Sequence, residues 1–318
     1  MNAIEVNTGS DPWLGVELRH LAALDAVETE GSFGRAATRL GYTQSAVSQQ
    51  IATLERIVGE KLIERPGGPR PVALTEAGEL LLRHARAIVS RLQAAQSDLA
   101  ALSAGEAGSL RVGIFQSVGA KILPEVMRRF TCAWPKVDVE LRESHSDRTL
   151  ADMVERGELD LSFVQLPLES PSLETMLVLE DEYVLVTSAT SELATSGRTL
   201  TLREIAEHPL IGFRNCRATE IIVDQIRATG REPHFVARTD ENGVVQGLAG
   251  AGIGIAILPR LAVEPNDELV RITDLGPRLP RRQVGIARHS DRYHSPAAKA
   301  FVATALEVGA ETTAELAA

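Results

Sequence analysis

The hydrophobic period of this chain changes once, near Gly105 and Gly108, and that change constrains the fold more than any other feature. From residue 17 to about 104, apolar residues recur at helical spacing, broken only by Glu64-Arg65-Pro66-Gly67-Gly68-Pro69-Arg70-Pro71. Beyond Gly108, apolar runs of strand length alternate with amphipathic helical stretches. The first pattern requires a helical body with one hairpin. The second requires a parallel or mixed sheet with helices on its faces. At 318 residues the chain exceeds one ordinary core. The expected fold class is therefore α/β and multidomain.

In the helical part, a first helix is expected over about 17–30, where Leu18, Leu21, Ala22, Leu24, Ala26 and Val27 form an apolar face. Gly31 stops it, and Ser32 is the expected N-cap of a short helix over 33–40 that closes at Gly41. Thr43 caps a third helix over 44–58, the Pro/Gly run reads as a hairpin, and Thr75 opens a long helix to about 103. In the α/β part, strands are expected at 110–115, 137–141, 159–164, 183–187, 210–213, 234–237, 254–258 and 284–287. Helices are expected near 119–130, 147–156, 201–207, 218–229, 241–250 and 296–308. Similar patterns either side of 167–171 point to two α/β subdomains.

Residues 32–51 have the order that a helix-turn-helix requires. Ala36 and Ala37 are small where two helices meet, Gly41 sits at the turn, and Val47, Ile51 and Leu54 share one face of the next helix. The opposite face offers Gln44, Ser45, Ser48 and Gln49, whose side chains can hydrogen-bond base edges in a major groove. A polar helix face alone would equally suit a plain helical hairpin. The surrounding layout of helix, helical turn unit, Gly/Pro hairpin and long helix is that of a winged helix-turn-helix.

At this point the sequence resembles the LysR-type transcriptional regulators. The resemblance rests on Ala36-Ala37, Leu40, Gln44-Ser45-Ala46-Val47-Ser48, Ile51, Leu54-Glu55, Gly59, Leu62, Arg65, Leu74-Thr75 and Ala77-Gly78, in order and at family spacing; Ile63 stands where many members carry Phe. It implies double-stranded DNA as a partner. Gln44, Ser45, Ser48 and Gln49 would read bases, Arg35, Arg65 and Arg70 would touch backbone or minor groove, and Ser32 and Thr43 complete the candidate interface.

Along the long helix, Leu81, Ala85, Ile88, Leu92, Ala95, Leu99 and Leu102 recur at steps of four and three, the period of a coiled-coil seam. A single amphipathic helix lying on its own domain would show a similar stripe. Pairing is favoured because two reading heads match a palindromic site. The resemblance implies a homodimer or homotetramer formed through this helix.

The resemblance also implies a C-terminal domain like a type II periplasmic binding protein, with local matches at Gly157-Glu158-Leu159-Asp160-Leu161 and from Gly250 to Pro259. In such folds a ligand lies between subdomains at the C-terminal ends of strands. Reading those ends yields Gln116, Ser117 and Val118; Ser144, His145 and Ser146; Gln165 and Leu166 at the crossover; Phe213, Arg214 and Asn215; and Thr239. Hydroxyls and helix starts favour a small, carboxylate-bearing effector, with Arg214 adding charge complementarity. Each of these is also an ordinary cap or loop residue type.

The expected divisions are an extension over 1–16, read as disordered; the winged helix-turn-helix over 17–74; the linker helix over 75–104; and the effector domain over 105–318. Within the last, subdomain I would hold about 109–165 and 267–318, and subdomain II about 166–266.

The net charge of −10 weighs against a nucleic-acid partner until it is resolved by segment. Residues 17–91 hold ten Arg/Lys against nine Asp/Glu, whereas residues 92–318 hold 23 against 32. Phosphate contacts must then come from a few placed Arg and from backbone N–H groups. No apolar run approaches ~18 residues, so no membrane partner is expected, and two cysteines suit a reducing cytoplasm. The histidines lack metal-ligand spacing and no nucleophile motif is present, so neither enzyme chemistry nor a metal or other cofactor is expected. Gly250-x-Gly252-x-Gly254 precedes a strand rather than following one, and so reads as a tight turn, not a dinucleotide loop. Cys132 reads as a small buried hydrophobe. An alternative function is redox sensing through Cys216, whose neighbours Arg214 and Arg217 would favour a thiolate.

Overall fold

The computed structural model describes residues 12–64, 72–104, 108–195, 200–214 and 216–317. The chain divides into two compact units, Met1–Ala95 and Gln96–Ala318.

In the first unit, a short 3-10 helix (Pro12–Gly15) precedes α1 (Leu18–Glu30), α2 (Phe33–Leu40) and α3 (Gln44–Val58). The expected disorder of the whole 1–16 segment therefore needs correction. Residues 12–15 are helical, and Val16 packs against the unit's core; residues 1–11 lie outside the described part. Ala36 and Ala37 are buried where α2 joins that core, and Val47, Ile51 and Leu54 are fully buried. Gly41 takes φ 70°, the left-handed conformation that lets α2 end and the chain turn into α3. The Thr43 hydroxyl accepts from Ala46 N–H at 3.2 Å, so it caps α3 as expected. Ser32 stands at the N-cap of α2 in an extended conformation, but its side chain makes no capping bond.

Two short antiparallel strands follow, β1 (Ile63–Glu64) and β2 (Ala73–Leu74), then α4 (Glu76–Ala104). Glu55 ties this hairpin to α3: its carboxylate accepts from Leu62 N–H at 3.0 Å and from Lys61 Nζ at 2.8 Å. Thr75 Oγ1 accepts from Gly78 N–H at 3.0 Å and donates to the Lys61 carbonyl at 2.6 Å, fixing where α4 starts. Arg86 of α4 reaches Asp25 at 2.7 Å and Glu28 at 3.0 Å on α1.

The second unit holds, in order, β3 (Gly108–Ile114), α5 (Gln116–Lys121), α6 (Leu123–Ala133), β4 (Val137–Glu143), α7 (Asp147–Glu155), β5 (Leu161–Leu166), β6 (Leu173–Asp181) and β7 (Tyr183–Ser188). It continues with α8 (Glu192–Thr195), α9 (Leu202–Ile205), β8 (Leu210–Phe213), α10 (Arg217–Ala228), β9 (Phe235–Thr239), α11 (Asn242–Gly250), β10 (Ile255–Pro259), β11 (Val270–Asp274), β12 (Arg282–His289) and α12 (Pro296–Ala317). These strands build two five-stranded sheets, β4-β3-β5-β12-β6 and β11-β7-β10-β8-β9. The first core centres on Phe130, Phe163 and Phe301, with Phe130 and Phe301 packed edge to face at 5.2 Å. The second sheet is covered by apolar clusters, including one around Ile205, Ile226 and Leu275 and another around Val245 and Leu258.

The subdomain limits differ from expectation. β6 joins the first sheet by pairing with β12, and β11 joins the second by pairing with β7. The chain therefore crosses between sheets at 181–183 and at 274–282, not near 166 and 266. Neither β6 nor β11 was anticipated. β11 has a half-buried face of isolated apolar residues that does not stand out, whereas β6 holds the run Met176-Leu177-Val178-Leu179, which was legible as a strand but lies just past the proline-bounded break at 167–171 and was passed over. At the turn before β10, a side chain at Gly254 would lie 2.6 Å from the Pro209 carbonyl, so close packing rather than phosphate binding requires this glycine.

Candidate nucleic-acid interface and ligand cavity

In the first unit, burial of Val47, Ile51 and Leu54 turns the opposite face of α3 outward. Gln44, Ser45 and Gln49 are exposed there and Ser48 is half-buried. The Thr43 hydroxyl lies 3.0 Å from Ser45 Oγ, which steadies the first turn. Arg35 is exposed, and its guanidinium donates to the Glu30 carbonyl. Arg39 lies 3.6 Å from the Glu30 carboxylate. Tyr42, absent from the sequence reading, stands exposed beside Thr43 at the same helix start. Arg65 and Arg70 lie outside the described residues.

The expected seam on α4 requires a correction. Leu81 and Ala85 are buried in the core of the first unit, where they meet the helices that precede them. The exposed stripe begins at Ile88 and continues through Leu92, Ala95 and Leu99, with Ile88, Leu92 and Leu99 each more than half exposed. The side chain of Leu102 lies outside the described residues.

In the second unit, a cavity of about 50 Å³ opens between the two sheets' layers. One wall is formed by Phe115, Gln116, Ser117, His145 and Arg282, the other by Phe213, Cys216, Asp240, Asn242, Pro259 and Ala262. Of the expected residues, Gln116, Ser117, His145 and Phe213 converge here. Val118 is fully buried in the first core, since it turns inward one residue after Ser117. Ser144 and Ser146 use their hydroxyls locally. Ser144 Oγ accepts from Ser146 N–H at 3.1 Å, and Ser146 Oγ caps α7 by accepting from Thr149 N–H at 3.2 Å. Thr239 Oγ1 accepts from Glu241 N–H, and Gln165 is buried with its N–H on Asp147. None of these five lines the cavity.

Arg214 also departs from expectation: its side chain is exposed and outside the lining, while its N–H donates to the Thr239 carbonyl at 3.1 Å and to Asp240 Oδ1 at 3.2 Å. Asn215 lies outside the described residues. Arg217 turns away from Cys216, donating to the carbonyls of Gln165 and Pro167. The Cys216 thiol is consequently not held as thiolate. Burial pushes it up, against weaker opposing effects of the Ala218 backbone N–H and the Arg282 charge. Cys132 is exposed, not buried.

The cationic group of the cavity is Arg282, which the sequence reading missed. It is 6% exposed, and its counter-charge is Asp181, which is fully buried. Nη2 donates to Asp181 Oδ2 at 2.5 Å and to Ser117 Oγ at 3.2 Å, and Nε donates to Asp181 Oδ2 at 3.1 Å. Leu261 N–H adds a bond to Asp181 Oδ1 at 3.2 Å. Burial pushes the Asp181 carboxyl up, and the Arg282 charge opposes that push. The two residues are paired neighbours on β12 and β6, beside the points where the chain crosses between sheets. A search along strand C-terminal ends passes over Arg282 because β12 runs antiparallel to β5 and presents its N-terminal end at this edge.

The rims of the cavity are bridged. Gln116 Nε2 donates to Glu241 Oε2 at 2.6 Å, and Asn242 N–H donates to Gln116 Oε1 at 2.8 Å. His145 lies 3.7 Å from Glu241. Lys121 and Glu264, which are not among the lining residues, lie 2.9 Å apart.

With both surfaces described, comparison with known proteins decides the family. Residues 18–79 match the bacterial regulatory helix-turn-helix proteins of the lysR family, and residues 103–310 match the LysR substrate binding domain. The chain belongs to the LysR family of transcriptional regulators. This LysR-family chain is 34% identical over 252 residues to the HTH-type transcriptional regulator AlsR of Bacillus subtilis (strain 168), covering 78% of this chain and 82% of the relative. It is 28% identical over 289 residues to the regulator CbbR of Rhodospirillum rubrum, covering 90% and 94%. Among solved structures, full-length CbnR in complex with its target DNA is similar with a TM-score of 0.65 at 22% identity, covering 92% of this chain and all of that one. The regulator is thus a DNA-binding protein with an N-terminal helix-turn-helix and a C-terminal effector-binding domain. Among its described residues, no helix is long and apolar enough to cross a membrane.

Proposed function

We propose that this regulator binds a palindromic promoter site through the outward face of α3 and responds to a carboxylate-bearing small molecule held in the cavity between its two sheets. Gln44, Ser45, Ser48 and Gln49 read base edges, and Arg35, Arg65 and Arg70 hold the phosphate backbone. Two copies pair through the exposed stripe Ile88, Leu92, Ala95 and Leu99 on α4, in a homodimer or an assembly of two such dimers.

The observation that carries the effector reading is Arg282. It is a buried guanidinium lining a cavity, and among the described residues its hydrogen bonds use Nε and Nη2 but not Nη1. A ligand carboxylate accepts from Nη1 and from the Ser117 hydroxyl, as a charge-assisted bond in a water-poor site. Because cavity residues come from both sheets, ligand shifts the population between open and closed arrangements of the second unit.

The reading is tested by titrating the full chain against duplexes selected from random sequence, with and without a panel of carboxylate metabolites. A preferred dyad-symmetric duplex, whose affinity one metabolite changes in the parent protein but not in Ser117→Ala, supports it. Equal affinity for selected and random duplexes, with the fold intact, overturns the DNA assignment. A metabolite response unchanged in Ser117→Ala and Arg282→Gln overturns the cavity assignment.

A further inference from the structure

Resting on the reading of the cavity as the effector site, we infer that Tyr183 is an effector-binding residue, whose hydroxyl donates to the same carboxylate that Arg282 and Ser117 hold. Tyr183 opens β7 and stands opposite Pro259, the last residue of β10, so it lies at the edge of the second sheet where the cavity forms. Its side chain belongs to the apolar cluster of Ile205, Leu210 and Ile222. Cys216 packs against that cluster and also lines the cavity. Tyr183 is 3% exposed, and its hydroxyl is buried with no hydrogen-bond partner among the described residues. Burial pushes the hydroxyl up, so it stays protonated at neutral pH; of the groups acting on it, Arg282 has the largest effect, ahead of Cys216 and Asp181. The oxygen therefore lies at the cavity end of the cluster, behind the Cys216 side chain.

A buried hydroxyl that finds no acceptor costs folding free energy, and a ligand that supplies the acceptor recovers that cost on binding. The groups around this hydroxyl are themselves donors. Among the described residues Arg282 leaves Nη1 unused, and Ser117 Oγ accepts from Arg282 Nη2 at 3.2 Å, which keeps its own O–H to donate. The Asp181 carboxylate is turned to Arg282 and to Leu261 N–H. Three donors about one end of the cavity suit a carboxylate, whose two oxygens accept about four hydrogen bonds. A primary amide of the same size would set its own N–H against one of them. The effector lies carboxylate inward, moving the Cys216 side chain to another rotamer, with its remaining atoms against Phe213, Pro259 and Ala262. Arg282 stands on the first sheet and Tyr183 on the second, so one carboxylate held by both joins the two sheets.

The experiment uses the full chain and a panel of monocarboxylates (straight-chain, hydroxy- and keto-acids), each beside its primary amide. Binding is read by calorimetry, and folding by melting curves, in the parent, Tyr183→Phe and Ser117→Ala proteins. Tyr183→Phe removes one oxygen and keeps the ring in its cluster. The expected result is that one acid binds the parent while its amide does not, and that Tyr183→Phe weakens this acid by about tenfold. Without ligand, Tyr183→Phe should melt at or above the parent's temperature, because a stranded hydroxyl has been removed. An affinity unchanged in Tyr183→Phe but lowered in Ser117→Ala overturns the inference and leaves the cavity as the effector site. A Tyr183→Phe protein that melts below the parent without ligand overturns it as well, since the hydroxyl then has a partner in the unliganded protein. An affinity unchanged in both variants, or binding by no acid, overturns both the inference and the cavity reading.

Discussion

Glu55 shows how much one buried carboxylate does in the first unit. It satisfies Leu62 N–H and holds Lys61, so α3 and the hairpin strand β1 are joined through one side chain. Burial pushes its carboxyl up, but the Lys61 and Leu62 bonds outweigh that and leave it below the ordinary value of 4.5. A carboxyl that is more acidic when folded stabilises the protein fully above its unfolded value. That contribution is lost as pH falls through the folded value. Glu55→Ala is therefore expected to cost about 1–3 kcal/mol at pH 7, with the difference from the parent shrinking below pH 4.5 in urea melts at each pH. A constant difference across that range would show that the carboxylate charge is irrelevant. Cys216 makes the opposite case. Burial pushes the thiol up, so alkylation at pH 7.5 should be on the order of tenfold slower than at exposed Cys132 by mass spectrometry. Faster labelling at Cys216 would restore the redox reading.

At the scale of elements, α4 serves two purposes along one stripe. Its first turns close a core, and the rest presents an exposed apolar edge. Substitutions along it should separate accordingly. Leu81→Ala should destabilise the first unit by about 2–5 kcal/mol without changing the oligomeric state. Ile88→Glu with Leu92→Glu should leave the melting temperature of the monomer fold near the parent's and convert the dimer to monomer in light scattering. A dimer that survives the double substitution places the seam elsewhere. On α3, Ser48→Ala or Gln49→Ala should cost about 1–3 kcal/mol on the preferred duplex and little on random DNA. Gel-shift titrations at two salt concentrations check this, and equal losses on both duplexes would deny α3 its reading role.

For the whole molecule, the pair Arg282–Asp181 couples chemistry to architecture. The partners lie 101 residues apart, on paired strands next to the crossings between sheets. Removing one partner strands a buried charge, so Arg282→Met alone should cost about 3–5 kcal/mol, and adding Asp181→Leu should recover most of it. The double variant should melt near the parent yet give no ligand-induced rise in melting temperature with a compound that stabilises the parent. Retained ligand stabilisation would remove Arg282 from the site.

Local physics was legible in the chain. The Thr43 cap, the Gly41 turn, the inward face Val47, Ile51 and Leu54, and the strand at 210–213 follow from periodicities of two to four residues and from the chemistry of single positions. Ser117 and Phe213 were within reach for the same reason, since Ser117 stands two residues beyond a run that reads as a strand and Phe213 ends one. What the sequence could not decide was anything set by which strand lies beside which. Arg282 reaches the cavity because β12 runs antiparallel, and Arg214 misses it because its backbone is tied to the end of β9. Leu81 and Ala85 look identical in spacing to Ile88 and Leu92, and they differ only because α1 to α3 fold back onto the first turns of α4. Spacing along a chain fixes the face a residue shares, while the neighbour that face meets is chosen by contacts between distant segments, and those exist only once the tertiary structure has formed.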